Sequence, residues 1–253
     1  MKSTIAIVLW LSCIACQAAA PPGRPLAAAA YPEPEAAAAW QALAASYQRK
    51  ARSERKLSED PVLNGRAATV MAAVGAAVAA IDPRFASAAW KVVLIEEFGH
   101  GAVAFPGETI LVDAKFVRTL ALTDDELALL LAHEAAHVVA GHAYEKLSFM
   151  AAILGKDAAP TARAALLEFL ARDAYAEAFG PVQRLQEREA DRIGAAILLG
   201  SGYDAQRALG LFDRLLALEA REAQERHDSA ASRKRAMAVV LAKLRQPAAV
   251  LVR

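Results

Sequence analysis

Cysteine is almost missing from this chain. The only two, Cys13 and Cys16, both fall near the N-terminus, so the remaining chain has no disulfide and no thiolate to hold a metal. Aromatic residues make up only 6%, while about a quarter of the chain is alanine, a composition that favours helices over an all-β sandwich. An excess of charge of either sign is missing too: 29 Lys and Arg stand against 28 Asp and Glu. The formal net charge is +1, so no basic excess exists to neutralise a phosphate backbone or to draw the chain to anionic lipid. Nucleic acid is therefore excluded as an expected partner. With 253 residues, 56% of them hydrophobic, disorder is excluded and there is ample chain for a core.

An almost unbroken apolar run stands at the start. Met1-Lys2 is followed by Ile5 to Cys16 and then by Gln17-Ala18-Ala19-Ala20-Pro21. A single positive charge, a short apolar core and a small-residue exit read as a secretory signal over residues 1–18, too short to span hydrocarbon. Cleavage after Ala18 or Ala19 competes with a lipoprotein signal ending at Cys16, which would anchor the protein to a membrane. The expected location is outside the cytoplasm, in the periplasm. Residues 19–39 are rich in Pro and Ala and read as a tether, leaving 40–253 as one domain.

Hydropathy periodicity divides that domain. Trp40 to Glu59 reads as an amphipathic helix, and Val62 to Ile81 as a helix of small residues stopped by Asp82-Pro83. Lys91–Ile95 and Thr109–Val112 read as strands that could pair as a hairpin, with Phe105-Pro106-Gly107-Glu108 as a turn. Helices then dominate. Thr123-Asp124-Asp125-Glu126 is a capping box opening a helix to about Tyr144. Further helices are expected over Thr161–Phe179, with Gly180-Pro181 as a stop, and over Val182–Leu199, Asp204–Gln224 and Ser232–Arg245. The fold class is mainly α with a small β-sheet (α+β).

The capped helix contains His133-Glu134-Ala135-Ala136-His137. Residues four apart share a helix face, so both imidazoles can reach one metal ion. Glu134 is rotated about 100° from His133, where it can take a proton from water at that ion. Leu127, Leu129, Leu131, Val138 and Val139 make the helix apolar nearly all round, and two histidines with a carboxylate in a buried helix need partners. Ala143 stands where a metal-ligating histidine six residues past His137 would be, so His142 reads as a capping or hydrogen-bonding residue. The third ligand is then a downstream Glu. Glu168, Glu177, Glu187 and Glu189 are the candidates, and Glu187 stands out because Asp191, one turn on, can accept from a ligating imidazole.

Glu187-Arg188-Glu189-Ala190-Asp191 after HExxH resembles the zinc peptidase family that includes the CAAX prenyl protease, HtpX and BepA. Ala102 to Gly107 with Ile110-Leu111-Val112, Gly202-Tyr203-Asp204, and His227 with Arg233 extend the likeness over roughly Leu57 to Leu244. Asp228, Gly101 and Glu108 depart from the family pattern. The resemblance implies a zincin-like (gluzincin) metallopeptidase domain with one Zn²⁺ on His133, His137 and Glu187. It implies Asp191 behind a ligand, Glu134 as base, and His227 and Arg233 as candidate oxyanion donors, with His227 a candidate latch on the zinc. It also implies polypeptide substrates bound along an edge strand at Ile110–Val112. The expected activity is zinc-dependent endopeptidase action on unfolded or misassembled envelope proteins. A zinc-binding chaperone or adaptor that holds such chains without cutting is the alternative.

Overall fold

The structure, a computed structural model, describes residues 30–219 and 229–245. The signal and Cys16 readings, and His227, lie outside the described residues.

Helix α1 (Glu33–Ser53) leads into α2 (Pro61–Ile81), capped by the Asp60 carboxylate, which accepts from Val62 N and Leu63 N. Strands β1 (Lys91–Ile95), β2 (Ala102–Phe105) and β3 (Thr109–Asp113) follow, then helices α3 (Ala114–Thr119), α4 (Asp124–Val139), α5 (His142–Ala158), α6 (Ala162–Ala171), α7 (Asp173–Gly200), α8 (Ala205–Ala208), α9 (Gly210–Glu219) and α10 (Ala230–Arg245). The expected mainly α fold with a small sheet is borne out.

The sheet differs from the expected hairpin. Its order is β1-β3-β2; β1 runs parallel to β3, and the hairpin is made by β2 and β3. Parallel neighbours need a crossover between them, and β2 with the chain leading to it supplies one. The tight turn the sequence marks, Pro106-Gly107-Glu108, closes the β2–β3 pair, with Gly107 and Glu108 both at positive φ (85° and 57°). This also corrects the expected edge at Ile110–Val112. Those residues form the central strand and are wholly buried. Ile110 and Val112 face one core and Leu111 the other, which is why β3 reads as a continuous apolar run. The outer side of β1 is met by the chain at Leu57. Among the described residues no strand pairs with the outer side of β2.

On one face of the sheet, α2, α4 and α7 pack around Val74, Val78, Leu127, Leu131, Ala135 and Leu198. Each buried leucine contributes about 1.5–3 kcal/mol, which offsets the cost of placing polar groups in the same helix. On the other face, α1, α5, α6 and the first half of α7 enclose Trp40, Leu147, Met150, Leu166 and Phe179. α1 begins at Glu33, not Trp40. Tyr31, Ala36 and Ala39 are buried and the Tyr31 hydroxyl donates to Ala159 O at 2.7 Å, so the end of the Pro/Ala-rich stretch is packed structure instead of tether.

Helix boundaries also move, and the helix expected over Thr161–Phe179 breaks at Arg172 into α6 and α7. The capped helix stops at Val139, because Gly141 takes a left-handed conformation (φ 70°) and α5 starts afresh at His142. Gly180-Pro181 does not stop a helix; α7 runs through it. Proline removes one backbone donor there, but Phe179, buried between Phe149 (5.0 Å) and Phe169 (5.8 Å), holds the chain in register. The helix expected from Asp204 breaks at Leu209 into α8 and α9.

α7 crosses α4 closely at Gly194, where an added Cβ would stand 3.2 Å from both N and Cα of His133. The contact is with backbone, which cannot turn aside. Gly194→Ala is expected to lose about 1–2 kcal/mol and to lower the thermal midpoint by roughly 2–8 °C. A thermal melt at fixed pH checks it; an unchanged midpoint would mean the crossing is slack.

Candidate metal centre

The capping box at the start of α4 is fully made: Glu126 N donates to Thr123 Oγ1 at 3.3 Å, and Thr123 N to Glu126 Oε2 at 2.8 Å. Arg214 Nε adds a second hold on Glu126 at 2.6 Å. This fixes the phase of α4 and hence the direction of His133 and His137. α7 contributes the opposite wall. Its residues Glu187, Asp191 and Gly194 recur at i, i+4 and i+7, so one stripe faces α4.

Nε2 of His133 and Nε2 of His137 are 3.1 Å apart, and the Glu187 carboxylate lies 3.3 Å from the first and 3.6 Å from the second. These three groups share one point, their ligand atoms all within 4.8 Å of one another. A tetrahedral zinc with bonds of about 2.0–2.1 Å has ligand–ligand edges of about 3.3 Å, so the spacing fits that ion. The donor set, two imidazoles and one carboxylate, fits it too. Of the other glutamates considered, Glu168 pairs with Arg172 at the surface, Glu177 is exposed, and Glu189 lies 3.6 Å from His142 Nε2.

Both imidazoles are held from behind. Asp191 Oδ1 is 3.0 Å from His133 Nδ1, and Arg233 forks onto Asp191 through Nε at 3.0 Å and Nη2 at 2.7 Å. Arg233 therefore sits behind His133, where it orients Asp191, and its Nη2 also stands 3.8 Å from Glu187 Oε2. His137 Nδ1 is 2.8 Å from His142 Nδ1. Sequence reasoning left His142 a hydrogen-bonding residue without a partner. The partner is the second ligand itself, brought into reach by the turn at Gly141. Gln186, also unforeseen, donates to His142 O at 3.2 Å and to Glu145 Oε2 at 2.7 Å, locking α5 to α7 beside the site.

The electrostatics suit a cation. Burial opposes charge on His133, yet Asp191 and Glu187 overcome it and raise its pKa to about 10. Burial pushes the Glu187 carboxyl up, but His133, His137 and Arg233 hold it well below the usual carboxylate range. Glu134 is raised by burial, which makes it a better proton acceptor. Its Oε2 accepts from Ala104 N at 2.9 Å, tying it to the open side of β2. Ala102 and Ala104, small on that face, let β2 approach α4.

Asp191→Asn should weaken zinc binding by about 10–100-fold, because the amide cannot match the carboxylate toward His133 and Arg233 together. Competition with a zinc-sensitive dye measures it, and wild-type affinity would contradict the role of Asp191.

The sequence profile described as "Peptidase family M48" matches residues 65–243, a span that contains all of these groups. Over 134 residues the chain is 31% identical to "Mitochondrial metalloendopeptidase OMA1" of Schizosaccharomyces pombe (strain 972 / ATCC 24843). That stretch is 51% of this chain and 39% of the relative, so the chain spans well under two thirds of the protein it matches.

Proposed function

Because the chain belongs to peptidase family M48, a family of metallopeptidases, we propose that it is a zinc-dependent endopeptidase. Its proposed substrates are exported cell-envelope proteins that are unfolded or misassembled. One observation carries this reading: two imidazoles and the Glu187 carboxylate meet at a point beside Glu134, which is itself bonded to the sheet edge.

A zinc ion held by His133, His137 and Glu187 would lower the pKa of a water toward neutrality and polarise the scissile carbonyl. Glu134 takes the proton of the attacking water and hands it to the departing amine. Asp191 and His142 keep the two imidazoles aimed, so that little reorganisation accompanies the reaction. Substrate adds as a strand along β2, whose outer side carries no partner strand among the described residues. Strand addition reads backbone more than side chains, which suits unfolded chains over folded ones. The N-terminal sequence supports export to the periplasm, with a lipid anchor at Cys16 as the alternative end of the signal.

The test is digestion of one protein in folded and unfolded form. The unfolded form should be cut, the folded form spared, and a chelator should stop the cutting until zinc is returned. Equal rates in chelator would overturn the zinc reading. Mass spectrometry of the N-terminus of cell-derived protein reads the export step, and an intact Met1 would overturn it.

A further inference from the structure

Lys146 lies one turn beyond His142 on α5, on the same helix face. Its ammonium stands 4.9 Å from the ring centre of Phe169, 5.5 Å from Phe179 and 5.7 Å from Trp40. Three helices, α6, α7 and α1, supply one ring each. Ring faces attract the charge but leave the three N–H donors of an ammonium without directional acceptors. Among the described residues no carboxylate lies within 4.0 Å of Lys146 and no acceptor hydrogen-bonds it. Lys50, Lys56, Lys115 and Lys234 differ, each having an acidic partner. Burial lowers the pKa of Lys146 to about 8, with Glu187 the opposing influence. The nitrogen is nonetheless not sealed; the sealed side-chain atoms without a hydrogen bond among the described residues are Trp90 Nε1 and His142 Nε2.

The charge of Lys146 is felt at His137 and Glu187, so the group lies near the metal ligands. The box also adjoins the proposed substrate strand, since the Trp40 ring leans on Phe105, the last residue of β2, at 6.4 Å.

We propose that Lys146, in its box of Trp40, Phe169 and Phe179, is a specificity-determining subsite that takes a substrate carboxylate close to the scissile bond. The proposal rests on the endopeptidase reading above. The carboxylate is an Asp or Glu side chain or the C-terminus of the substrate, and the two sources share one chemistry. The partner missing from the ammonium is then supplied by the polypeptide being cut.

The experiment uses the full chain with zinc and two sets of quenched fluorescent peptides. In one set a single Glu or its Gln counterpart is moved position by position across the cleavage site. In the other the C-terminus is free or amidated. In wild type one carboxylate position should exceed its amide counterpart by about tenfold in kcat/KM. A preference at an internal position identifies a side chain; a preference only for the free terminus identifies the terminal carboxylate. Lys146→Met, or Lys146→Gln if the first variant does not fold, should bring the ratio to about one. Lys146→Arg should keep it, and Lys146→Glu should invert it. A wild type with no preference, or a ratio unchanged in Lys146→Met, overturns the proposal. Binding of the same peptides to Glu134→Gln, read by fluorescence polarisation, separates the two readings. If wild type never cuts, the endopeptidase reading fails. The subsite stands or falls on whether the Glu/Gln ratio of Kd in that background disappears with Lys146→Met.

Discussion

Glu134→Gln should retain zinc and fold and lose about 10²–10⁴-fold in kcat on an unfolded substrate, the range general-base catalysis supplies. The amide oxygen can still accept from Ala104 N, which Glu134 Oε2 does at 2.9 Å, so the tie between α4 and β2 survives. What is lost is only the capacity to hold a proton. Burial has already raised the Glu134 carboxyl in favour of that proton, and the other carboxylates at the site among the described residues are engaged. Glu187 is committed at the ligand point, and Asp191 is held by His133 and Arg233. The comparison also decides between cutting and holding. A chaperone or adaptor would bind unfolded chain equally in both forms and degrade it in neither, whereas equal degradation by both would remove Glu134 from the mechanism.

Glu187→Ala should be as severe by another route. It deletes one of three groups at the ligand point, and zinc affinity should fall by more than about a hundredfold, beyond the range seen for groups standing behind a ligand. Turnover should fall with it. Glu189→Ala is the control, two residues along the same helix. Glu189 lies 3.6 Å from His142 Nε2 and not at the ligand point, so its loss should weaken zinc by tenfold at most. Metal content and dye competition on the two variants read this directly. Loss of zinc in Glu189→Ala with retention in Glu187→Ala would reverse the assignment.

Much of the site was legible because helical spacing turns sequence distance into geometry. His133 and His137 at i, i+4 had to share a face, and Glu187 with Asp191 had to share another. The Thr123 box fixed where the first of those helices begins, and the structure makes both of its bonds. The residues behind His137 were not legible, since His142 reaches it only after Gly141 ends α4. A glycine just past a buried helical run is the signal that could have placed that turn. Pro181 misled for the opposite reason: local propensity says stop, and the tertiary burial of Phe179 overrides it. Strand β2 was hidden because Gly101 to Phe105 is short and alanine-rich, and so its pairing with β3, and with it the true edge of the sheet, followed only from the fold. Lys146 looked like any polar residue on a helix; only three rings from three helices make it unusual.

The most direct test is the metal content of the full chain after zinc loading and exhaustive dialysis, with X-ray absorption at the zinc edge. Convergence of His133, His137 and Glu187 predicts about one zinc per chain, ligated by two imidazole nitrogens and by oxygen at about 2.0–2.2 Å. A chain that retains no zinc, or holds it equally well with Glu187 replaced by alanine, would contradict the account.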